Sequence, residues 1–389
     1  MQEKVSGAKV LAHSFSSQGI KMFFTVPTPR LTPLLQTLKQ EENVRVVTAH
    51  NETAAALMAE GYIRRSQSLA AVITDAGARA ISQICGVTNA WADKVPLVSL
   101  SLSENNAPDS NKSVERWRFD QKASFQAVTS WNIRLKSLET ASREISKCLE
   151  ESCRHKMGPV HIDIPCGFLN HMVPADLVSG GAVMPSRPVE PVRMRAQTAS
   201  VAQAAQLLLN AKKPLIFCGG GVKASDACVD LMKLVETLGI PVATSMAGIG
   251  SVPVSHPLCL GGPSYTSGEV FHTAIKDADV VLALGAAFSG LDGFGLPPLW
   301  SGKIRFIHVD IDPMQLGLNV QPEVSIMADV KTFLQQLTKA LAKERGATRP
   351  EWKRWSGMLR KLKQILYVQR SGAGNDQASQ PARYHRDEQ

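Results

Sequence analysis

Three kinds of sequence signal are missing from this chain of 389 residues. No run of eighteen or more apolar residues occurs, so the sequence predicts no transmembrane helix. The N-terminal segment MQEKVSGAKVLAHSFSSQG lacks the apolar stretch of a signal peptide. The seven cysteines are an odd number without C-x-x-C spacing, which favours reduced thiols over a disulfide framework or a zinc site. Together these absences favour a cytoplasmic protein that does not bind membranes.

Signals for several classes of binding and catalysis are also absent. The net charge of +9 is spread along the chain, and no basic stripe with interleaved aromatic residues indicates a nucleic-acid partner. The sequence has no G-x-S-x-G elbow and no Walker loop. Its histidines have no metal-ligand spacing, so we predict no metal site. The apolar fraction of 44% is that of a globular protein with substantial cores.

Short apolar runs alternate with helical patterns in the first part of the chain. Such alternation predicts a parallel sheet covered by helices on both faces. The predicted strands are Lys21–Phe24, Val44–Val47, Ala70–Ile73, Leu97–Leu100 and Val160–Ile164. The predicted helices are Lys4–Gln18, Glu52–Arg65, Ile81–Trp91 and Thr140–Cys153, with Asn51 as a candidate N-cap.

A segment rich in proline and glycine at 171–197 is typical of a linker. The same alternation then resumes, so we predict an α/β protein of two doubly wound parallel-sheet domains, at 1–170 and 198–345. The strands of the second domain are predicted at Pro214–Cys218, Pro241–Thr244, Val280–Leu284, Arg305–Val309 and Val324–Met327. Its helices are predicted at Thr198–Asn210, Ser225–Leu238, Glu269–Lys276 and Val330–Ala342.

The last segment, 346–389, does not continue this pattern. Trp352–Val368 can form one basic amphipathic helix. Residues 371–389 are polar and contain almost nothing apolar, so we predict that they are disordered.

Glu52 is the first candidate for a functional residue. It lies between a predicted strand and a predicted helix, where open α/β sheets usually bind ligands. The neighbouring residues Ala54–Ala56 are small, so another surface can approach the carboxyl group closely. A carboxyl group in this position can hold or share a proton. A glutamate at a helix N-terminus is also favoured by the helix dipole without any ligand.

The second candidate is the glycine-rich turn Gly219-Gly220-Gly221, between a strand and a helix. It fits G-x-G-x-x-A, the arrangement that places backbone N–H groups around a phosphate. A nicotinamide cofactor would require an acidic residue at the end of the next strand, but that strand ends Thr244-Ser245. A nicotinamide dehydrogenase is therefore disfavoured, whereas nucleotide binding and a tight turn without ligand both stay open.

Two aspartates follow the next candidate strand, at Asp310 and Asp312. Asp310 ends the strand and can hydrogen-bond a ribose or an adenine. Asp312-Pro313 is typical of a helix start, with the aspartate as N-cap and proline at the first helical position.

Taken in order, these segments resemble the acetolactate synthase family of thiamine-diphosphate-dependent enzymes. Glu52, with Gly61-Tyr62 after it, is similar to the family segment H-E-Q-x-A…E-G-Y-A-R. The resemblance extends to about residue 345 through Gly86–Val98, Gly158–Pro165, Lys213–Gly221, Gly239–Val242, His256-Pro257, Ala278-Asp279 and Leu284–Ala286. Phe294–Pro298 and Leu316–Asn319 are also similar to 2-hydroxyacyl-CoA lyases and oxalyl-CoA decarboxylases.

The resemblance implies a pyrimidine-binding domain followed by a Rossmann-like central domain. It implies that Glu52 hydrogen-bonds the aminopyrimidine ring of thiamine diphosphate and so promotes deprotonation of the thiazolium. Pro27, Gly77 and Ser82 are implied to lie beside this cofactor. The implied substrates are 2-keto acids, for carboligation or decarboxylation, or 2-hydroxyacyl-CoA, for C–C cleavage. The central domain is implied to hold FAD, ADP or nothing, at Gly219–Gly221 and Asp310.

The sequence departs from the family pattern in three places. The family's G-V-P-G turn is Thr25–Thr28 here, and its G-P-G-x-x-N is Gly77–Ser82, with Arg79 inside it. The G-D-G…N motif that would hold magnesium and diphosphate is absent, its nearest relative being Leu291-Asp292-Gly293.

We therefore expect a truncated or split form without the diphosphate-binding domain, and without independent activity. On this view, the chain forms a homodimer or pairs with a chain that supplies that domain and its Mg²⁺. The alternative is a non-catalytic nucleotide-binding or regulatory module that keeps the fold.

Overall fold

The chain forms two compact units, Met1–Val192 and Arg193–Gln389. The computed structural model describes residues 3–104, 120–154, 157–179, 193–262, 269–342 and 349–375. Part of the predicted linker belongs to the first unit, because Met172–Pro174 pair antiparallel with Lys4–Ser6. Residues 180–192 of that linker lie outside the described residues.

The first unit is built on a six-stranded parallel sheet of order β3-β2-β4-β5-β7-β6, beside the two-stranded pair β1-β8. Its strands are β1 (Lys4–Ser6), β2 (Met22–Thr25), β3 (Arg45–Thr48), β4 (Ala70–Thr74), β5 (Val98–Ser103), β6 (Trp131–Arg134), β7 (Val160–Pro165) and β8 (Met172–Pro174). Its helices are α1 (Gly7–Ser17), α2 (Thr32–Leu38), α3 (Glu52–Ser66), α4 (Ala78–Ser82), α5 (Ile84–Ala92), α6 (Gln121–Phe125), α7 (Leu138–Ser152) and α8 (Asp176–Ser179).

The central strands of this sheet are buried along their whole length. Every residue of β4, β5 and β7 is buried, as expected for parallel strands that helices cover on both faces. Phe15 of α1 packs edge-on against Phe23 of β2, and both rings are fully buried. The apolar runs of the sequence therefore form the core that was predicted from them.

The second unit is built on a five-stranded parallel sheet of order β10-β9-β11-β12-β13. Its strands are β9 (Pro214–Cys218), β10 (Val242–Thr244), β11 (Val280–Leu284), β12 (Arg305–Asp310) and β13 (Pro322–Met327). Its helices are α9 (Thr198–Leu209), α10 (Gly221–Ala224), α11 (Cys228–Leu238), α12 (Glu269–Asp277), α13 (Val330–Ala342) and α14 (Pro350–Asn375). The prediction of two parallel-sheet α/β domains is confirmed.

Helix α14 packs on the second unit through two tryptophans. Trp352 is fully buried, and its Nε1 donates to the carbonyl of Ala211 at 2.8 Å. Trp355 Nε1 donates to the carbonyl of Pro214 at 3.0 Å. The helix continues to Asn375, into the segment from residue 371 onward that was predicted to be disordered, and 376–389 lie outside the described residues.

Several local details differ from the prediction. The strand β6 was not predicted from the sequence. The predicted helix from Lys4 begins with β1, because its first residues pair with β8. The predicted helix Ile81–Trp91 breaks into α4 and α5 at Gln83, whose buried side chain hydrogen-bonds Thr74 and Ser99. None of the helices in the described segments is both long enough and apolar enough to cross a membrane.

Candidate functional site

The strand order of the first sheet creates a crevice at its carboxyl edge. From β2 the chain crosses to β3 on one side of β2 and then to β4 on the other side. The segments after β2 and β4 therefore lead away from each other, and this switch point is where open α/β sheets bind ligands. Pro27 and Thr28 follow β2, and Asp75, Ala76 and Gly77 follow β4.

Glu52 lies at this edge as the first residue of α3. Asn51 caps the helix, because its side-chain oxygen accepts the Ala54 N–H at 2.7 Å, so the predicted cap is confirmed. Glu52 is only 8% exposed. The adjacent side chains are small, and Ala55 and Ala56 are fully buried. The helix thus fixes a nearly enclosed carboxyl group at the end of the sheet.

Arg79 of α4 binds this carboxyl group directly. Its Nη1 donates to Glu52 Oε1 at 2.8 Å, and among the described residues no other side chain hydrogen-bonds the Glu52 carboxyl. The Arg79 side chain is 48% exposed, whereas that of Glu52 is 11% exposed. A second bond joins the same helices, from Thr53 Oγ1 to the carbonyl of Ser82 at 2.6 Å. Arg79 departs from the family pattern, but its pairing with Glu52 was not predicted from the sequence.

The two sides of the crevice are joined by Asp75. The Thr28 hydroxyl donates to Asp75 Oδ2 at 2.8 Å, and both residues are buried. Arg30 lies 3.5 Å from Asp75 and donates to Glu104 at 3.0 Å. The hydrogen bond to Glu104 raises the pKa of Arg30 above its usual value. Pro27 is exposed.

Gly77 has a backbone conformation that needs glycine. Its φ is 73° and its ψ is −132°, a region that side chains with a Cβ rarely enter. Its N–H donates to the side-chain oxygen of Gln121 at 3.0 Å. The Gln121 amide nitrogen donates in turn to Ser101 Oγ and to the Leu102 carbonyl, both at 2.8 Å. Gln121 follows a segment without strand or helix signals, so its role was not predicted from the sequence.

A buried histidine lies next to Gln121 in this network. His161 Nε2 is 2.8 Å from Ser101 Oγ, and its Nδ1 is 2.9 Å from Asn132 Oδ1. Its ring stacks on Phe125 with centroids 3.7 Å apart. Burial lowers the pKa of His161 to about 3, so the ring is neutral at physiological pH and supports the edge of the sheet.

Asp163 is the second ionisable group of this network. Its side chain is fully buried and binds Arg134 at 2.8 Å. Burial raises the pKa of Asp163, although the hydrogen bond from Arg134 opposes that shift. The pair joins β7 to β6.

The glycine-rich turn of the second unit is packed against its own backbone. The N–H groups of Gly219 and Gly221 donate to the carbonyls of Leu284 and Gly285, at 2.9 and 3.1 Å. A Cβ on Gly219 would lie 1.9 Å from the Gly285 oxygen. Two amides of the predicted phosphate cradle are therefore already bonded, and α10 after them has only four residues. Close packing of two backbone segments accounts for these glycines.

Asp310 and Asp312 stabilise the turn that follows β12. Asp310 Oδ1 accepts the Asp312 N–H at 2.9 Å, and Asp312 Oδ1 accepts the Met314 N–H at 3.1 Å. The chain after Pro313 forms turns, not the helix that was predicted there. Asp312 caps this turn in place of a helix. Both aspartates have structural hydrogen bonds without any ligand.

The predicted site residues therefore form two separate groups. Pro27, Glu52, Gly77 and Ser82 belong to the edge of the first sheet, and Gly219–Gly221 and Asp310 to that of the second. Each group lies in its own unit. The described segments contain no group of three or more His, Cys, Asp or Glu side chains that could hold a metal ion.

Comparison with known proteins identifies both units. Residues 5–124 match the family model of the thiamine pyrophosphate enzyme N-terminal TPP binding domain. Residues 201–337 match the model of the thiamine pyrophosphate enzyme central domain. The first match contains Glu52 and Arg79, and the second contains the glycine-rich turn and Asp310.

Individual relatives cover most of the chain. It is 28% identical over 344 residues to a probable acetolactate synthase large subunit of Methanocaldococcus jannaschii, covering 87% of this chain and 56% of that protein. It is 29% identical over 364 residues to human 2-hydroxyacyl-CoA lyase 1, covering 93% of this chain and 60% of that protein. It is 27% identical over 349 residues to the Escherichia coli acetolactate synthase isozyme 3 large subunit, covering 88% of this chain and 59% of that protein. The chain thus belongs to the thiamine pyrophosphate enzyme family, of which it contains the N-terminal and central domains.

Proposed function

We propose that this chain supplies the aminopyrimidine-binding half of a thiamine-diphosphate site. The observation that supports this most is the position of Glu52, a nearly buried carboxyl group at the carboxyl edge of a parallel sheet, beside its switch point. The match of residues 5–124 to a TPP binding domain supports thiamine diphosphate as the ligand that we propose for this position.

The residues around Glu52 fit an aminopyrimidine ring on one condition. The Glu52 carboxyl is fixed by a capped helix and lies beside small side chains, so a flat ring can approach it. Among the side chains that the structure describes, only that of Arg79 hydrogen-bonds this carboxyl. Since Arg79 is half exposed, it can turn into solvent without moving buried groups. The site fits the ring once the guanidinium has left.

Glu52 would hold a proton at the ring nitrogen, and its burial keeps bulk water from competing for that hydrogen bond. Thiamine diphosphate supplies the nucleophilic carbon and the electron sink for making or breaking a C–C bond beside a carbonyl. Gly77, fixed by Gln121, would let the backbone approach the cofactor without a Cβ. We propose that Pro27 and Ser82 border the same crevice.

The diphosphate and its Mg²⁺ would be held by a region of the longer family members that lies outside these two domains. The relatives are longer than this chain, which spans 56% and 60% of the first two. The reaction that we propose for the complete site is carboligation or decarboxylation of 2-keto acids, or cleavage of a 2-hydroxyacyl-CoA. The names of the relatives support both substrate classes equally.

A second copy of the chain is the partner that we propose for the first unit. Leu57 and Met58 of α3 are 45% and 41% exposed, and Trp91 of α5 is 36% exposed. These helices pack closely, since a Cβ on Gly86 would lie 2.5 Å from the Ala56 Cβ. An apolar surface on two packed helices favours self-association. Sedimentation velocity should give a dimer that Leu57→Asp weakens.

A second candidate function is a non-catalytic module that keeps the fold. The Arg79–Glu52 ion pair favours it, because the pair already satisfies the proposed cofactor-binding carboxyl. FAD or ADP in the central domain finds less support, since the Gly219 and Gly221 amides bond to protein carbonyls. We assign no chemical step to the second unit.

Calorimetric titration with thiamine diphosphate and Mg²⁺ separates the two candidates. The titration is made with this chain alone, and then after addition of the C-terminal part of the Methanocaldococcus jannaschii relative. The proposal predicts binding that becomes tighter when that part is present. Absence of binding in both titrations would exclude the cofactor role and leave the non-catalytic module.

A further inference from the structure

We propose that Arg79 is a tethered competitor for the carboxyl group of Glu52, so that the guanidinium and the aminopyrimidine ring bind there in alternation. This inference rests on the proposed role of Glu52. It makes Arg79 the residue that sets the affinity of this chain for the ring.

The two partners place opposite demands on the same carboxyl group. A guanidinium has only donors, so it binds Glu52 through an unprotonated oxygen. A pyrimidine ring nitrogen is an acceptor, so it requires a proton on the Glu52 carboxyl. Arg79 Nη1 is 2.8 Å from Glu52 Oε1, within the range of a charge-assisted hydrogen bond. A proton on the carboxyl for the ring would remove the negative charge that makes this bond charge-assisted, so the two hydrogen bonds oppose each other.

The exposed fractions of the two side chains indicate that Arg79, not Glu52, moves. The Glu52 side chain is 11% exposed on a capped helix of fifteen residues, whereas the Arg79 side chain is 48% exposed on a helix of five. The bond between Thr53 and the Ser82 carbonyl also joins α3 to α4. The two helices therefore stay connected when the guanidinium leaves, so that the change is confined to one side chain.

A second ion pair on the same helix gives the contrast. Arg64 binds Glu60 one turn away and also binds Asp93, and Glu60 accepts a further bond from Asn89 at 2.7 Å. That pair is part of a network that joins α3 to α5. In the described part of the chain, the Arg79–Glu52 pair has no such additional side-chain partners, which makes it the pair that a ligand can displace.

The test measures binding of 4-amino-5-hydroxymethyl-2-methylpyrimidine, an uncharged analogue of the ring, to the full chain by ligand-observed NMR. An ion pair of this exposure contributes about 1 kcal/mol, so Arg79→Ala should bind the probe about fivefold more tightly than wild type. Arg79→Lys keeps a cation and should stay within about twofold of wild type. Arg65→Ala removes the same charge from an exposed position of α3 and should change nothing.

The salt dependence of probe binding is a second measurement, and a purely structural role of Arg79 would not produce such a dependence. Screening weakens an exposed ion pair, so added salt should tighten probe binding to wild type and leave Arg79→Ala unchanged. Equal or weaker binding by Arg79→Ala, or a wild-type affinity independent of salt, would overturn the competition. If the competition is overturned but wild type binds thiamine diphosphate in the titration with the relative's C-terminal part, the proposed function still stands. If nothing binds in either experiment, both are wrong.

Discussion

Replacing Gly219 with alanine tests whether the glycine-rich turn is a packing device. The new Cβ would lie 1.9 Å from the Gly285 oxygen and 2.5 Å from the Ala286 Cα, and both are backbone atoms that cannot rotate away. The turn must shift by more than 1 Å to restore an ordinary contact of roughly 3.4 Å. That shift would disrupt the bonds from the Gly219 and Gly221 amides to Leu284 and Gly285.

The expected cost combines overpacking and lost hydrogen bonds. Overpacking contributes about 1–3 kcal/mol, and each disrupted bond about 1 kcal/mol, so the free energy of unfolding should fall by roughly 3–5 kcal/mol. Gly220→Ala is the matched control. It has a helical φ of −61°, and its new Cβ would lie 3.1 Å from the Ala247 methyl group, so its unfolding free energy should change by less than about 1 kcal/mol.

Urea unfolding followed by tryptophan fluorescence measures this difference, because Trp300 and Trp352 are buried in the second unit. Equal stability of Gly219→Ala and Gly220→Ala would refute the packing account. If Gly219→Ala is as stable as wild type, phosphate binding would again be a candidate role for the turn.

Three other predictions concern stability. Trp352→Ala should lower the free energy of urea unfolding by about 3–5 kcal/mol, and Trp352→Phe by about 1–2 kcal/mol, since it keeps an aromatic ring but loses the bond to Ala211 and part of the buried indole. Lys363 donates to three carbonyls at 2.7–3.0 Å, so Lys363→Met should lower the free energy of unfolding by about 1–3 kcal/mol in the same assay. An unchanged free energy of unfolding would contradict a stabilising role of these bonds. Burial lowers the pKa of His161 to about 3 in the folded chain, so below about pH 6.5 the unfolded state binds a proton that the folded state does not. The free energy of unfolding should therefore decrease as the pH is lowered from 6 to 4. His161→Gln should show a smaller decrease than wild type. Parallel pH profiles of the two proteins would exclude His161 as the cause of the decrease.

The two-domain fold was predictable because parallel strands buried on both faces are continuous apolar runs. Ala70–Thr74 and Val280–Leu284 are such runs, and both are entirely buried. The strand β6 was missed because Trp131–Arg134 are partly exposed and mix apolar with polar residues. Helix α14 was predicted, but not how far it extends or where it packs, because the bonds of Trp352 and Trp355 to carbonyls about 140 residues away depend on the tertiary fold.

The candidate site was only partly predictable. Glu52 and its cap follow from local sequence, since a strand, an asparagine and a helix occur in succession. The ion pair with Arg79 depends on the order of strands in the sheet, which brings the starts of α3 and α4 together. Gln121 reaches Gly77 across 44 positions of the chain, and no local pattern marks it. The roles assigned to Pro27, Ser82 and the glycine-rich turn stay predictions.

The most direct test of the central claim compares Glu52→Ala with Glu60→Ala in binding the aminopyrimidine probe. Alanine offers the ring nitrogen no hydrogen-bond donor, whereas a glutamine amide would. Glu60 lies on the same helix, is 3% exposed and also pairs with an arginine, so the control removes an equivalent charge. If Glu52 holds the ring, Glu52→Ala should bind the probe at least about tenfold more weakly than wild type, and Glu60→Ala should bind it as wild type does. Equal affinities in wild type and Glu52→Ala would contradict the assignment of Glu52 as the pyrimidine-binding carboxyl.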